Sequence, residues 1–572
     1  MDNSQIHDWI LSEDYADILA SLNLSQQSVL REFSRYGAQP LGGQFVMLHV
    51  PVSSLPSNLL NVLGYSNIPK LYTTLDTTSL ERSGILQLQN LSSFPLKGEG
   101  VLIGFLDTGI NYQSSAFRGR DGSTRILGIW DQTIQNGPHF ALQYGTVYTR
   151  EQINQALRSE EPLSVVPTED PDGHGTFLAS VACGSADPAS QFIGAAPESR
   201  IAMVRLKPAK KYLHRFFLVP EDALAFQETD LMAGILYLQQ LAAENRLPLV
   251  LCIGVGTNQG DHAGGSPLAS VLNEYSKKAG FYPVLAGGNE AGKGHHYYGK
   301  LERQNDTAAV EILSTKDTEG FTLELWAQSP ELYSVAITSP MGETIPNIPP
   351  RLRQQSVYHF ALERTALYVN YELVEAQSGS QLIVLRFQWP TSGVWTIRVT
   401  NNQFINGVFH MWLPITGFLP EGTGFLAPNP DTTLTSPADV PGGITVSTYN
   451  AYDSSLFIHS SRGYTRTGGI KPDLAAPGVE VTGIVPAYGD LSRSFFRYGT
   501  ATGSSIASAI TAGACALLVN WEMTRTNPTV PTAAELRNLL IRGARRSSDS
   551  LYPNRAWGYG ALDLYGIFQS LI

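Results

Sequence analysis

Gly100-Val101-Leu102-Ile103-Gly104-Phe105-Leu106-Asp107-Thr108-Gly109 is the stretch from which the fold is read. Residues 100–106 carry no polar side chain, and the run is too short for an ordinary helix. It reads as a strand buried on both faces, the kind found in parallel sheets covered by helices. The neighbouring pattern agrees. Residues 200–207, 249–253 and 282–286 are further apolar strands, and 443–447 resumes the series near the C-terminus. Residues 231–245 and 270–279 have helical character, and Pro248 separates the first of these from the strand that follows. Residues 505–521 form a helix of small residues. Strands alternating with helices predict an α/β fold, a parallel sheet with helices on both faces.

Two regions depart from this pattern. At the N-terminus, residues 15–22 and 44–50 read as strands and 25–36 and 55–63 as helical stretches. Residues 68–75 are extended, because Pro69 disfavours helix before it. This is a small α+β unit. Between about 293 and 430 the period switches to two, in runs 321–326, 333–338, 366–372, 381–389, 395–400 and 407–412. Turn signals such as Ser392-Gly393 and Asn401-Asn402 separate them, which predicts an all-β sandwich inserted into the α/β unit. The expected division is 1–75, 76–292, 293–430 and 431–572.

The 572 residues are 43% hydrophobic and 16% charged, ample for a large core and incompatible with a mostly disordered chain. A formal net charge of −11 argues against nucleic acid or an anionic membrane as main partner, since phosphate binding needs clustered positive charge. No apolar run reaches about 18 residues, which predicts a soluble protein with no membrane span. Residues 1–7 lack a basic segment followed by an apolar one, so no secretory signal is expected. Cys183, Cys252 and Cys515 are odd in number and lie in apolar contexts. They read as small buried residues, which fits a reducing compartment; export after trimming of a longer precursor stays open.

Four short motifs carry chemistry. Asp107-Thr108-Gly109 ends a buried strand, the edge where catalytic groups of α/β sheets gather, and a carboxylate there can fix the tautomer of an imidazole. Asp172-Gly173-His174-Gly175-Thr176 frames a histidine with glycines that permit close backbone approach. Gly503-Ser504-Ser505-Ile506-Ala507-Ser508 sets a serine at a helix N-terminus, where unpaired N–H groups and the helix dipole favour developing negative charge. Ala286-Gly287-Gly288-Asn289-Glu290 follows a strand and offers an amide to an oxyanion. Alone, each has an ordinary reading: a turn aspartate, a packed histidine, a serine N-cap, a turn asparagine.

Together, in the chain order Asp, His, Asn, Ser, they resemble the subtilisin family of serine proteases. Gly194-Ala195-Ala196-Pro197, Ser460-Ser461-Arg462-Gly463, residues 471–478 (KPDLAAPG) and Gly558-Tyr559-Gly560 match the family as well. Within it the chain is most similar to the clostridial germination-type (Csp) proteases and gut-bacterial relatives. The cues are residues 219–228, residues 254–262 and the β insert, which in such relatives is jelly-roll-like and lies between the Asn and Ser motifs. Two departures stand out. Gly503-Ser504-Ser505 replaces the usual Gly-Thr-Ser, and Ala509 stands where a proline is common. Aligning Ile506-Ala507-Ser508 with the usual apolar-Ala-small run selects Ser505 as nucleophile.

The resemblance implies a Ser505–His174–Asp107 triad with Asn289 and the Ser505 N–H at the oxyanion, and an acyl-enzyme mechanism. It implies a substrate cleft bordered by Gly254-Val255-Gly256 and by Gly287-Gly288, whose backbone is free to pair with an extended peptide. It also implies that residues 1–75 are a prodomain, self-cleaved between Leu71 and Thr77 and retained, with residues 69–75 near Gly254 and Gly288 and 77–84 as connector. Partners are then a protein or peptide substrate and the cleaved prodomain. No metal and no cofactor is called for. A Csp-like enzyme would process a spore-cortex hydrolase zymogen, in the cytoplasm or associated with the spore. The alternatives are a catalytically silent pseudoprotease, and a carbohydrate-binding insert using Trp326, Trp389, Trp395 and Trp412, which core packing also explains.

Overall fold

A computed structural model describes residues 3–21, 33–42, 44–56, 58–74, 83, 85–89, 96–315, 318–352, 355–486 and 496–571. An eight-stranded sheet forms the centre. Its strands run in the order Leu474–Pro477, Ile444–Tyr449, Phe281–Ala286, Leu249–Ile253, Leu102–Asp107, Arg200–Arg205, Ile126–Asp131 and Thr146–Thr149. Every neighbour pair is parallel except the last, where Thr146–Thr149 closes the edge antiparallel. Leu102–Asp107 is buried along its whole length at the middle of the sheet. Covering both faces removes water from every side chain, which explains its uniformly apolar sequence.

Helices His174–Cys183 and Ser504–Thr524 pack on one face, and Glu228–Asn245 and Pro267–Tyr275 on the other. The last begins before the expected 270 because Ser266 caps it, accepting from the Ala269 N–H at 3.1 Å, with Pro267 in its first turn. Ser504–Thr524 is long and apolar enough to cross a membrane by length and composition, although no single apolar run in the sequence suggested it. Here 94% of that apolar window is buried inside the protein. Its small residues serve packing: a Cβ on Gly513 would stand 2.3 Å from the Ala195 Cβ. The three cysteines are buried and unpaired.

The N-terminal unit is a three-stranded antiparallel sheet, Tyr15–Ser21, Phe45–Pro51 and Gln39–Gly42, with Phe45–Pro51 central. A helix at Asn3–Leu11 was not anticipated. Most of the helix expected over 25–36 lies outside the described residues; Ser34–Tyr36 is one 3-10 turn ended by Gly37 at φ 61°. The helix expected over 55–63 shrinks to Leu59–Leu63, since Pro56 bars helix just before it.

Among the described residues, eleven strands between His296 and Phe425 form two antiparallel sheets of six and five strands. None joins the central parallel sheet. Trp326, Trp395 and Trp412 are at most 1% exposed, so they fill the interior, and only Trp389 reaches solvent, beneath Arg364. Of the strands that the sequence reading missed, Thr344–Ile348 and Gln355–His359 sit at sheet edges, where alternation is weakest, whereas Thr307–Ser314 lies inside its sheet.

Candidate active site

Asp107 is the last residue of the central strand, and His174 is the first residue of the helix that follows the Asp172-Gly173 turn. The imidazole Nδ1–H donates to Asp107 Oδ1 at 2.7 Å. A carboxylate on Nδ1 fixes the proton there and leaves Nε2 as acceptor. Nε2 stands 3.1 Å from Ser505 Oγ. The approach requires glycine: a Cβ on Gly175 would lie 2.3 Å from Gly109 O and 3.1 Å from Asp107 Cβ. Asp107 and Ser505 are buried, and the His174 side chain keeps 10% of its surface exposed.

Ser504 and Ser505 separate by geometry. Ser505 faces the imidazole, whereas Ser504 Oγ accepts from Gly288 N–H at 3.0 Å. The Ser504 N–H in turn donates to Asn289 Oδ1 at 3.1 Å. Ser504 therefore ties the Asn289 loop to the start of the Ser505 helix. With Oδ1 engaged, the Asn289 amide NH2 is the group left to act as donor, beside the unpaired N–H groups of the helix start.

Several supporting residues were not identified from the sequence. Asp170, buried, accepts from Thr108 Oγ1 at 2.7 Å, Gly173 N–H at 2.9 Å, and Thr176 N–H and Oγ1 at 2.8 and 2.6 Å. It fixes the histidine turn against the Asp107 turn. The only signal was its place just ahead of Asp172-Gly173-His174. Glu290 is the other. Its N–H donates to Ser461 Oγ, and its buried carboxylate accepts from His295 Nδ1 at 2.6 Å, Asn258 Nδ2 at 3.2 Å and Thr416 N–H at 3.3 Å. Burial pushes the Glu290 carboxyl up, but His295 and the Thr416 donors outweigh it and hold it below the usual range. His295, His296 and His410 are all buried.

The cleft is occupied by the chain's own N-terminal unit. Leu71–Thr74 pairs antiparallel with Val255–Gly256, Thr74 opposite Val255 and Thr73 opposite Gly256. On its other side it pairs antiparallel with Phe226–Gln227. Leu71 N–H also donates to Gln259 Oε1 at 2.9 Å. Gly254 lies against Ser505, a Cβ there being only 3.1 Å from Ser505 Cβ.

The second border expected from the sequence needs correcting. Gly287 N–H donates to Val446 O and its carbonyl accepts from Thr435 N–H, while Gly288 N–H and carbonyl are taken by Ser504 Oγ and Ser461 N–H. Neither glycine has backbone free for a peptide, because the loop that carries Asn289 is itself anchored through them. Phe226–Gln227, rather than Gly287-Gly288, supplies the backbone that pairs with the other side of Leu71–Thr74. The stretch 75–77 and the connector 77–84 fall largely outside the described residues.

Comparison with known proteins agrees with this fold. Among solved structures the chain is similar to the CspB protease of Clostridium perfringens, at 32% identity and a TM-score of 0.75, covering 86% of this chain and 96% of that one. Among curated proteins it is similar to the subtilisin-like protease SBT3.8 of Arabidopsis thaliana, 29% identical over 172 residues. That match spans 26% of this chain and only 21% of the plant protein. The subtilase family profile matches residues 98–325 and 419–560, on both sides of the β insert's centre and including Asp107, His174, Asn289 and Ser505. The strand order, the meeting of distant Asp, His and Ser, and that match have one common explanation: the chain belongs to the subtilase family.

Proposed function

We propose that the protein is a serine endopeptidase that hydrolyses peptide bonds through an acyl-enzyme, releases its N-terminal unit by cutting its own chain, and keeps that unit bound. The observation that carries this reading is the pair of contacts at His174, 2.7 Å to Asp107 and 3.1 Å to Ser505, beside a cleft already holding an extended segment.

In the forward step the Ser505 hydroxyl gives its proton to His174 Nε2 as Oγ attacks the scissile carbonyl. Asp107 stabilises the imidazolium that forms. The negative charge on the former carbonyl oxygen meets the Asn289 amide and the Ser505 N–H. His174 then passes the proton to the leaving amine, and the serine ester remains. Water, deprotonated by the same imidazole, hydrolyses the ester and restores Ser505.

The pairing of Thr73 with Gly256 and Thr74 with Val255 supports self-cleavage nearby. Gly254, next to Val255 in the chain, lies against Ser505, so we place the bond cut in the interval Leu71 to Thr77. Processing of a protein zymogen, as in Csp-type enzymes, is the substrate class that goes with this architecture.

A fluorophosphonate probe tests the core of the reading. Wild type should be labelled on Ser505 and should run as two pieces on a denaturing gel while eluting as one species under native conditions. Ser505→Ala should be unlabelled and run as one piece. An unlabelled wild type would make the protein a silent member of its family; labelling with a single intact band would refute self-cleavage alone.

A further inference from the structure

The sheet has a second populated edge. Opposite the end that carries Asp107, where the strands begin, an open cavity of about 930 Å³ is bordered by Lys97, Arg118, Arg120, Arg125, Arg150 and Arg200. Only three carboxylates border it, Glu99, Asp121 and Glu198, in a chain whose net charge is −11. Those carboxylates do little to neutralise the arginines. Glu198 is shared by Lys97 at 3.5 Å and Arg120 at 2.8 Å, and Asp121 accepts from Ser123 N–H and Oγ.

Arg118, Arg125, Arg150 and Arg200 have no carboxylate at ion-pair distance among the described residues. Arg118 and Arg150 each reach one backbone carbonyl, Gln113 O and Thr124 O. Arg125 is buried on the carbonyls of Ala116, Cys183 and Ser199, and burial, with the charge of Arg200 adding to it, pulls its pKa down to about 10. Neutral carbonyls satisfy hydrogen bonds without cancelling charge, and Glu198 and Asp121 act on Arg125 and Arg150 only from beyond ion-pair distance. Four such charges around one concavity cost free energy through mutual repulsion. A negatively charged occupant relieves it.

We propose that this cavity binds a small multivalent oxyanion, a phosphate ester or a polycarboxylate, at a site separate from the proteolytic centre. Guanidinium forks at Arg118 and Arg200 supply paired donors suited to phosphate or carboxylate oxygens. The hydroxyl of Ser115 also borders the cavity, whereas those of Ser123 and Ser185 are already donated to Asp121 and to the Arg118 carbonyl. A volume of about 930 Å³ suits a small ligand rather than a nucleic acid groove. Binding there bridges the starts of the strands Leu102–Asp107 and Arg200–Arg205, so it stabilises the fold without touching Ser505.

Calorimetric titration of the full chain with pyrophosphate and with citrate, each against sodium chloride at matched ionic strength, tests this. Saturable binding with a rise in melting temperature is expected. Arg118→Gln and Arg200→Gln should each weaken it at least tenfold, and Glu198→Gln, which removes a rim carboxylate, should tighten it. Pyrophosphate binding alone assigns the phosphate class; equal citrate binding assigns recognition of charge and carboxylates. Heats equal to those of sodium chloride, or affinities unmoved by all three substitutions, would overturn the proposal. Because Glu198 is on the surface, its variant keeps the test decisive even if an arginine variant does not fold.

Discussion

At the scale of single residues, the neighbouring serines offer the sharpest distinction. Ser504→Ala should leave fluorophosphonate labelling intact and lower turnover modestly, because it frees Gly288 rather than removing the group facing His174. Ser505→Ala should reduce peptidase activity by several orders of magnitude, and adding His174→Ala should cost little more, since the residues act as a unit. If the two serines exchanged these behaviours, the geometry at His174 would be a poor guide to reactivity. Asn289→Ala should cut kcat by about 10²–10³, a magnitude borrowed from subtilisin itself, with labelling still detectable. The meeting of Asp107, His174 and Ser505 was legible in sequence because of their unusual neighbours, a glycine pair around the histidine and a helix start after Gly503. Asp170 was not. A carboxylate that accepts three bonds from Gly173 and Thr176 nearby and one from distant Thr108 looks, in sequence, like any polar turn residue.

At the scale of elements, the loop bearing Asn289 is held by pieces distant in the chain: Ser504 and Ser461 from the protease part, His295 and Thr416 from either end of the β insert. Glu290→Ala should therefore lower kcat by up to about 10²-fold with little change in KM, since small displacements of a catalytic donor are that costly. It should also lower stability by about 1–3 kcal/mol, because buried His295 and Asn258 lose their acceptor. Stopped-flow turnover and thermal melts separate the two effects; an unchanged kcat beside a lowered melting temperature would make Glu290 merely structural. The central strands were readable because burial on both faces leaves an apolar run, and the insert because alternation has period two. The partners of these strands were less so. Gly287 and Gly288 looked available to a peptide because sequence does not reveal that Val446, Thr435 and Ser461 already use their backbone. Phe226–Gln227 lacked the length of a strand signal, and only its pairing with Leu71–Thr74 identifies it.

At the scale of the molecule, the N-terminal unit is fastened by buried charge. Asp17 accepts from His49 Nδ1 at 2.7 Å, Lys210 Nζ at 3.0 Å and Gln227 Nε2 at 2.8 Å. Burial pushes the Asp17 carboxyl up, but Lys210 and His49 outweigh it and hold it well below the usual range. The folded pKa is thus depressed, so this contribution is present above the unfolded value near 4 and is lost as pH falls through the folded one. Docking should weaken below about pH 4, and Lys210→Ala should weaken it at every higher pH, by about 3–5 kcal/mol, by leaving a buried carboxylate uncompensated. Native size-exclusion of the processed protein across pH measures this; a fragment that stays bound to the same extent in both forms would contradict it. The other end of the unit is gripped elsewhere, by the insert, where Tyr65 OH donates to Glu324 at 2.5 Å and Tyr65 N–H to Glu372 at 2.7 Å. Two anchors on separate bodies change how the occupant can leave. A peptide pinned at one point peels away progressively, each broken contact easing the next, whereas one pinned on both flanks must release both within the same fluctuation. Escape then becomes the product of two rare events, and the waiting time before the cleft first opens is set as much by the insert as by the protease.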